Sequence, residues 1–175
     1  MICSRSAGED HADLLSYIIR ESFREQAVIL KMNPACYPNY SAFETGEKVR
    51  ARLSSGDHAL LFYANDEAVG TISYQIAPAD SKVGYIKRFA ILPAYRKRGY
   101  SELLMKEAEQ SLQELGVARI EISIVAQFEK LQKYYERMGY KVLDRKTVAA
   151  LPFLVTFMSK AIYNTGDDST DLQHL

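Results

Sequence analysis

The spacing of apolar residues predicts two helices in the first third of the chain. Between residues 9 and 26, apolar side chains recur every three or four positions, so they would line one face of a helix. A weakly alternating segment before it, residues 2–7, predicts a short strand. Residues 32–41 contain two prolines and two asparagines and are typical of a loop, and residues 42–56 form the second predicted helix.

The rest of the chain alternates between strand-like and helix-like segments. A hairpin is predicted for residues 59–77, with its turn at Asn65-Asp66-Glu67. Two later helices are expected to end at Gly116 and Gly139. The predicted strands are residues 82–92, 117–125, 140–146 and 151–162, and the predicted helices are residues 98–115 and 127–139. The last strand is almost continuously apolar, which is typical of a buried strand.

This order of elements predicts a single-domain α/β fold (α+β, with a mixed sheet) over residues 1–162. A strand–helix–strand unit at residues 82–125 needs a crossover connection, so part of the sheet is expected to be parallel. The sequence contains no internal repeat and no segment with the composition of a linker. Residues 163–175 are polar and acidic, and we expect them to form a flexible tail.

Composition narrows the function without defining it. The 175-residue chain has 22 basic and 22 acidic residues, and this zero net charge gives no reason to expect nucleic acid or an anionic membrane as a partner. Cys3 and Cys36 have no metal-binding spacing, and the three histidines are scattered, so no metal is expected. No apolar run has the length of a membrane span or the context of a signal peptide, which predicts a cytoplasmic protein.

A basic turn lies at the start of the third predicted helix. Arg96, Lys97 and Arg98 follow Pro93 closely and lead into Gly99. A helix start already carries partial positive charge on its unpaired N–H groups, so three cations there are unfavourable unless an anion binds. A glycine in such a turn lets the backbone approach phosphate oxygens. Neither G-x-x-x-x-G-K-[ST] nor G-x-G-x-x-G is present, and a solvated basic turn is the alternative interpretation.

Two sequence elements around this turn resemble the GNAT superfamily, the acetyl-coenzyme A-dependent N-acyltransferases. RKRGYS, residues 96–101, is similar to the family's Arg/Gln-x-x-Gly-x-Gly/Ala signature, with Ser101 at the last position. KYYERMGY, residues 133–140, is similar to its Tyr-Glu-x-x-Gly-Phe element, with Tyr140 in place of phenylalanine. RFAILPAYRKRG also resembles the strand and proline that lead into the family's turn. The resemblance covers residues 60–145, where the elements have the family's order and spacing.

The resemblance implies a mixed sheet of six to seven strands with about four flanking helices, whose fourth and fifth strands splay apart. Pantetheine would enter the gap and bond to backbone groups of Phe89, Ala90 and Ile91, as an added strand would. An N–H group at Phe89 or Ala90 would polarise the thioester carbonyl. The pyrophosphate would bind backbone amides of the turn, with charge-assisted contacts from its arginines. The residues of this turn site are Arg96, Lys97, Arg98, Gly99, Tyr100 and Ser101.

The resemblance also implies catalytic roles. Tyr135 occupies the position of the tyrosine that protonates the departing thiolate in the family, and Tyr134 is a second candidate for this general acid. Some family members carry an acidic general base on the fourth strand, where this chain has Lys87 and Arg88. Glu121 on the fifth strand is the nearest candidate base, and a chain of water molecules is the alternative. The tyrosines are otherwise core aromatics, and the glutamate an ion-paired strand residue.

These features predict an enzyme that transfers an acetyl group from acetyl-coenzyme A to a primary amine by direct attack in a ternary complex. A non-catalytic domain that binds or senses acyl-coenzyme A is the alternative, since it would keep the basic turn without an acid. A nucleic-acid binder is disfavoured by the zero net charge. The irregular segment 28–45, with Tyr37, Tyr40 and Phe43, either selects a small-molecule or peptide amine or is an inert surface turn. The oligomeric state is left open, with a homodimer as one option.

Overall fold

The computed structural model describes residues 1–162, which form one seven-stranded sheet with helices on both faces. The strands are β1 Ile2–Ala7, β2 His58–Ala64, β3 Glu67–Ala77, β4 Asp80–Ile91, β5 Arg119–Val125, β6 Lys141–Thr147 and β7 Leu154–Ala161. The helices are α1 Ala12–Ile29, α2 Gly46–Ser54, α3 Tyr100–Glu114 and α4 Glu129–Arg137. Within the sheet the strands lie in the order β1-β2-β3-β4-β5-β7-β6.

The strand pairing is mixed, as the order of elements predicted. Neighbouring strands are antiparallel except β4 and β5, which are parallel. Helix α3 connects these two strands, so the parallel unit predicted at residues 82–125 is confirmed. Strand β7 lies between β5 and β6, where Val155, Thr156 and Met158 are buried, in agreement with its apolar sequence. The predicted mixed α/β class is therefore confirmed, with seven strands and four helices among the described residues.

Two helices begin later than the hydrophobic pattern predicted. Helix α2 begins directly after Thr45, because the Thr45 hydroxyl caps it by accepting a hydrogen bond from the N–H of Lys48 (3.2 Å). The residues before it, Ser41–Phe43, form a separate 3-10 turn. Helix α3 begins at Tyr100, since Gly99 before it has a left-handed backbone (φ 75°) that is incompatible with a helix interior.

Each face of the sheet carries its own hydrophobic core. Helices α1 and α2 cover one face, where Leu15 and Ile18 of α1 meet Ala90 of β4. Helices α3 and α4 cover the other face, where Ile86 and Ile91 of β4 are buried. Because strand side chains alternate between faces, β4 is fixed by packing from both sides. This strand forms the edge of the site described below.

The β2–β3 hairpin turns through Asn65 and Asp66, whose left-handed φ values of 51° and 67° suit a two-residue hairpin turn. The tail that we expect to be flexible, residues 163–175, lies outside the described residues. Among residues 1–162, no helix has both the length and the apolar character needed to cross a membrane.

Candidate active site

The parallel strands β4 and β5 are paired only near the start of each. Pairing extends from Val83 with Arg119 to Tyr85 with Glu121, and no later pair joins the two strands within residues 1–162. Beyond this point β4 remains paired with β3, whereas β5 remains paired with β7. The two strands therefore diverge, as the resemblance implied. The gap leaves strand edges without a neighbour, and an extended ligand can bind to such an edge as an added strand.

A bulge in β4 lies beside this gap. Two residues of β4, Arg88 and Phe89, occupy the space of one residue between the regular pairs that β3 forms with Lys87 and Ala90. Arg88 has a left-handed φ of 51°. Bulges redirect the backbone and occur next to active sites. The residues expected to contact pantetheine, Phe89 to Ile91, thus begin in the bulge and continue along the diverging part of β4.

The basic turn follows β4 and has the geometry of an anion site. Residues 93–95 form a 3-10 turn, and the four exposed residues 96–99 lead into α3. Lys97 and Gly99 have left-handed φ values of 61° and 75° on either side of Arg98, an alternation that directs successive N–H groups to one side. Gly99 is the N-cap of α3, and no side chain caps this helix. The first N–H groups of α3 are therefore available to an anion.

The arginines of the turn have partners within the protein. Arg96 Nε donates to the carbonyl oxygen of Ile91 (3.1 Å), and its Nη2 donates to that of Ser22 in α1 (2.7 Å). The guanidinium of Arg98 lies 5.2 Å from the centre of the Tyr95 ring. Arg96 therefore braces the turn against β4 and α1 while it keeps positive charge beside the turn. The motif predicted the charge, but it gave no sign of the brace.

The first turn of α3 completes this part of the site. The Tyr100 ring packs on Phe62 with 5.2 Å between ring centres, which leaves the backbone amide of Tyr100 as its group for an anion. Ser101 is half-buried beside it. A carboxylate oxygen of Glu102 lies 3.6 Å from the position that a Cβ at Gly99 would take. This carboxylate complements the positive end of the helix dipole, in the region where a phosphate would bind.

Tyr135 lies in the core on the α3–α4 side of the gap and is 7% exposed. Its ring makes edge contacts with Tyr134 (5.4 Å) and Tyr140 (5.8 Å between ring centres). The same core includes Ile86 of β4 and Ile122 of β5, the first residues beyond the last strand pair. Burial, with a smaller effect of Tyr134, raises the pKa of Tyr135 above its ordinary value. The phenol therefore keeps its proton at neutral pH, as a general acid must.

Tyr134 differs from its neighbour in what surrounds its hydroxyl. Burial and, to a smaller extent, the Glu102 carboxylate raise its pKa, whereas Ser101 and Arg137 lower it, with a net rise. The hydroxyl oxygen is itself buried and has no partner in hydrogen-bond geometry within residues 1–162. The Arg137 guanidinium lies 6.0 Å from the ring centre. The two tyrosines are thus adjacent but occupy different environments, which makes each a control for the other.

Glu121 lies at the opposite side of the gap as an ion-paired carboxylate. Arg119 Nη2 donates to its Oε1 at 2.8 Å, and the Glu121 side chain is 24% exposed. It belongs to the last β4–β5 pair, opposite Tyr85. Its neighbours Ile120 and Ile122 are buried in the α3–α4 core, so Glu121 faces the α1–α2 side, as the alternation of β5 predicted. The candidate base and the candidate acid therefore lie on different faces of the sheet.

An aromatic cluster from the irregular segment covers the α1–α2 side. The Tyr40 ring contacts three phenylalanine rings with 6.2 to 6.5 Å between ring centres. They are Phe23 of α1, Phe43 of the segment itself, and Phe153 just before β7. The Tyr40 hydroxyl donates to Gln26 Oε1 (2.7 Å), and burial raises its pKa to about 12 although Arg88 lowers it. Through Tyr40, the segment thus contacts both α1 and the residues that lead into β7.

A buried carboxylate that sequence reasoning missed joins this segment to β4. Glu44 is 2% exposed; its Oε1 accepts from Arg52 Nη1 (3.0 Å), and its Oε2 pairs with Arg52 Nη2 (2.8 Å) and Arg88 Nε (3.0 Å). Burial opposes its ionisation, but Arg52 and Arg88 outweigh burial and hold the pKa of Glu44 below its ordinary value. A second buried carboxylate, Asp57, pairs with Lys87 (2.8 Å). Arg88 lies 44 residues from Glu44, so no local motif marks the pair.

The site lies within a range of the chain that matches a known family. Residues 17–140 match the acetyltransferase (GNAT) family, and this range includes the gap, the basic turn and both tyrosines of α4. The protein belongs to the GNAT acetyltransferase family. It is 26% identical over 136 residues to an uncharacterized N-acetyltransferase, YdgE of Bacillus subtilis, a match that covers 71% of this chain and 87% of that relative.

Solved structures of other GNAT-type enzymes share the fold. The PaiA N-acetyltransferase of Thermoplasma acidophilum, solved in complex with coenzyme A, has a TM-score of 0.76 and 18% identity, and the match covers 93% of this chain and 99% of that one. An alanine N-acetyltransferase for a ribosomal protein from Escherichia coli has a TM-score of 0.74 and 13% identity, over 98% and 100% of the two chains. At these identities the likeness shows the fold alone.

As a member of this family, the protein is an N-acetyltransferase that depends on acetyl-coenzyme A. The described residues suit such a co-substrate, because the turn that follows a strand with a free edge leads into an uncapped helix start. The pantetheine arm of coenzyme A would bind along the strand edge, and its pyrophosphate would bind at the helix start. Within residues 1–162, no cluster of three or more histidine, cysteine or acidic side chains could hold a metal ion.

Proposed function

We propose that the protein transfers the acetyl group directly from acetyl-coenzyme A to a primary amine of a small molecule or peptide, with both substrates bound at once. The observation that carries this proposal is the divergence of β4 and β5 after the pair Tyr85–Glu121. Tyr135 lies in the core on the α3–α4 face of the sheet, and we assign the aromatic cluster around Tyr40, which packs on Phe23 of α1, to the acceptor side. Two substrates that approach from opposite faces can react without a covalent enzyme intermediate.

The reaction step needs an oxyanion donor and a general acid from this chain. The amine nitrogen forms a bond to the thioester carbonyl carbon, and the bond from that carbon to sulfur breaks. The N–H of Phe89 or Ala90 stabilises the negative charge that develops on the carbonyl oxygen. The Tyr135 hydroxyl gives its proton to the departing thiolate. Because a thiolate with a pKa of about 8.5 is already a good leaving group, this acid contributes about 10²-fold.

The amine must also lose a proton. An aliphatic ammonium has a pKa of about 10.4, so most acceptor molecules arrive protonated at neutral pH. Glu121, at the α1–α2 mouth of the gap, is the candidate base, and water molecules along the same face are the alternative route. The ion pair with Arg119 keeps the Glu121 carboxylate in place at the last strand pair. The proton leaves on the acceptor side, away from Tyr135.

A thiol-release assay over a panel of amines tests the proposed function. The panel contains small primary amines, amino acid amides, and short peptides with either a free N-terminus or a lysine side chain. With an active acceptor, both substrates are varied, and intersecting double-reciprocal lines are expected for a ternary complex. Parallel lines would indicate a covalent intermediate and contradict direct transfer. Binding of acetyl-coenzyme A with no thiol release from any amine would favour the non-catalytic alternative.

A further inference from the structure

The bulge in β4 contains an unusual residue for its backbone conformation. Arg88 has a φ of 51°, in the left-handed region where a Cβ is disfavoured and glycine is the common choice. It lies directly before Phe89, the first of the residues expected to contact pantetheine. A long side chain in a strained backbone at a binding site indicates that surrounding contacts hold it there.

The contact with the most specific geometry is the ion pair with Glu44. Arg88 Nε donates to Glu44 Oε2 at 3.0 Å, and Arg88 Nη2 lies 3.5 Å from the carbonyl oxygen of Asn39. Arg52 binds both carboxylate oxygens from the other side, at 3.0 and 2.8 Å. Since Glu44 is 2% exposed, water competes little for the carboxylate. The Arg88 side chain is therefore tied to a fixed, buried anion.

The backbone of Glu44 is itself held by helices α1 and α2. Arg20 of α1 donates to the Glu44 backbone carbonyl at 3.0 Å, and the next residue, Thr45, caps α2. The position of the carboxylate is therefore fixed by α1 and α2. Through the ion pair with Arg88, these helices hold the bulge of β4. The same segment carries Tyr40 of the aromatic cluster, so the acceptor side and the bulge share one anchor.

We propose that Glu44 is a positioning residue that acts through Arg88, holding the β4 bulge in the shape that presents the Phe89–Ile91 backbone to the coenzyme A arm. This inference rests on the proposed function, because it assigns that arm to the β4 edge. This role differs from a direct substrate contact, since the Arg88 guanidinium binds Glu44 and only the backbone of the bulge affects the ligand. The role also differs from general stabilisation, since a glycine at position 88 should keep the bulge conformation without the ion pair.

Three variants separate these roles. Arg88→Ala removes the ion pair and leaves a residue that disfavours a left-handed φ, so the bulge relaxes. Arg88→Gly removes the same ion pair but restores the backbone preference. Glu44→Gln leaves Arg88 without its counter-ion. We expect Arg88→Ala and Glu44→Gln to weaken coenzyme A binding in titration calorimetry by about tenfold, and Arg88→Gly to bind within about threefold of wild type.

The other outcomes each overturn the inference. If Ala and Gly at position 88 weaken binding equally, the guanidinium itself contacts the ligand or supports the fold. If neither weakens binding, Glu44 and Arg88 only stabilise the protein. Should Glu44→Gln fail to fold, the two Arg88 variants still decide the question, provided that both remain folded by circular dichroism. The Ala-to-Gly difference is the readout that a merely structural role would not produce.

A second readout does not depend on the proposed function. The amide ¹H and ¹⁵N shifts of Phe89, Ala90 and Ile91 report the backbone conformation in the free protein. They should move in Arg88→Ala and return toward wild type in Arg88→Gly. If wild type binds no coenzyme A, the proposed function fails, while these shifts still decide whether Glu44 and Arg88 hold the bulge. Unchanged shifts in Arg88→Ala would reject the positioning role even if coenzyme A binds.

Discussion

At the scale of single residues, the adjacent tyrosines of α4 provide a matched comparison. Tyr135→Phe removes only the hydroxyl proposed as general acid, so kcat should fall by about 10²-fold while the Kd for coenzyme A stays the same. Tyr134→Phe is the control, because it removes the same hydroxyl group from the adjacent residue of α4. Steady-state kinetics and calorimetry on both variants test this expectation. A normal kcat in Tyr135→Phe, or a larger loss in Tyr134→Phe, would remove Tyr135 from the mechanism.

A second prediction at this scale concerns the pH dependence of stability. Arg52 and Arg88 hold the pKa of Glu44 lower in the folded protein than in the unfolded chain. A depressed pKa stabilises the fold above the unfolded value of about 4.3, and this contribution is lost as pH falls through the folded value. Glu44→Gln should therefore lower the free energy of unfolding by about 3 kcal/mol at pH 7.

The same variant should lose less in acid, so that its unfolding curve approaches that of wild type as pH falls below about 4. Urea denaturation at several pH values measures the difference. Glu47→Gln, in the exposed first turn of α2, is the control and should change stability little at any pH. An equal difference between Glu44→Gln and wild type at pH 7 and pH 3 would show that the charge of Glu44 is not what stabilises the protein.

At the scale of elements, the start of α3 can be compared with its end. Gly99 and Gly116 both have left-handed φ values, 75° and 85°, and a Cβ would meet no heavy atom closer than 3.6 Å at either position. Alanine should therefore cost about 1 kcal/mol of stability at each, through backbone strain alone. Only Gly99→Ala should also weaken coenzyme A binding, by about tenfold, because it reshapes the turn expected to hold the pyrophosphate. Equal affinities for the two variants would argue against the turn as the phosphate site.

In the first turn of α3, removal of the Glu102 charge should have opposite effects on stability and on coenzyme A affinity. The Glu102 carboxylate complements the helix dipole, but it also lies beside the turn that should receive a phosphate. Glu102→Gln should lower thermal stability slightly and strengthen coenzyme A binding by about threefold at low salt. Glu114→Gln at the other end of α3 serves as the control for loss of one negative charge. Weaker binding in Glu102→Gln would indicate that this carboxylate supports the site.

Element boundaries also show what the sequence can predict. The apolar run of β7 predicted correctly that Val155, Thr156 and Met158 are buried, because a strand whose two faces are both covered presents apolar residues on both. The start of α2 was predicted too early, since Ala42 and Phe43 belong to a separate 3-10 turn and the helix begins only after its cap, Thr45. Periodicity reports which residues are buried, but it does not report which side-chain cap or ion pair ends a helix.

At the scale of the whole molecule, the fold followed from local patterns, whereas the contacts that support the site did not. The motif around Gly99 and the tyrosine of α4 lie in short, continuous segments, so their positions could be assigned from the sequence. Arg96 reaches a carbonyl 74 residues away, and Arg88 reaches Glu44 across 44 residues. Such partners depend on how helices α1 and α2 pack on the sheet. No spacing within the chain encodes them.

Titration calorimetry of the purified protein with acetyl-coenzyme A tests the central claim most directly, namely that the β4–β5 gap and the turn before α3 bind this co-substrate. We expect one site per chain with a micromolar Kd, weakened by Gly99→Ala and unchanged by Gly116→Ala. If the wild-type protein binds neither acetyl-coenzyme A nor coenzyme A, the turn is a solvated basic surface. This result would also contradict the proposed acetyl transfer.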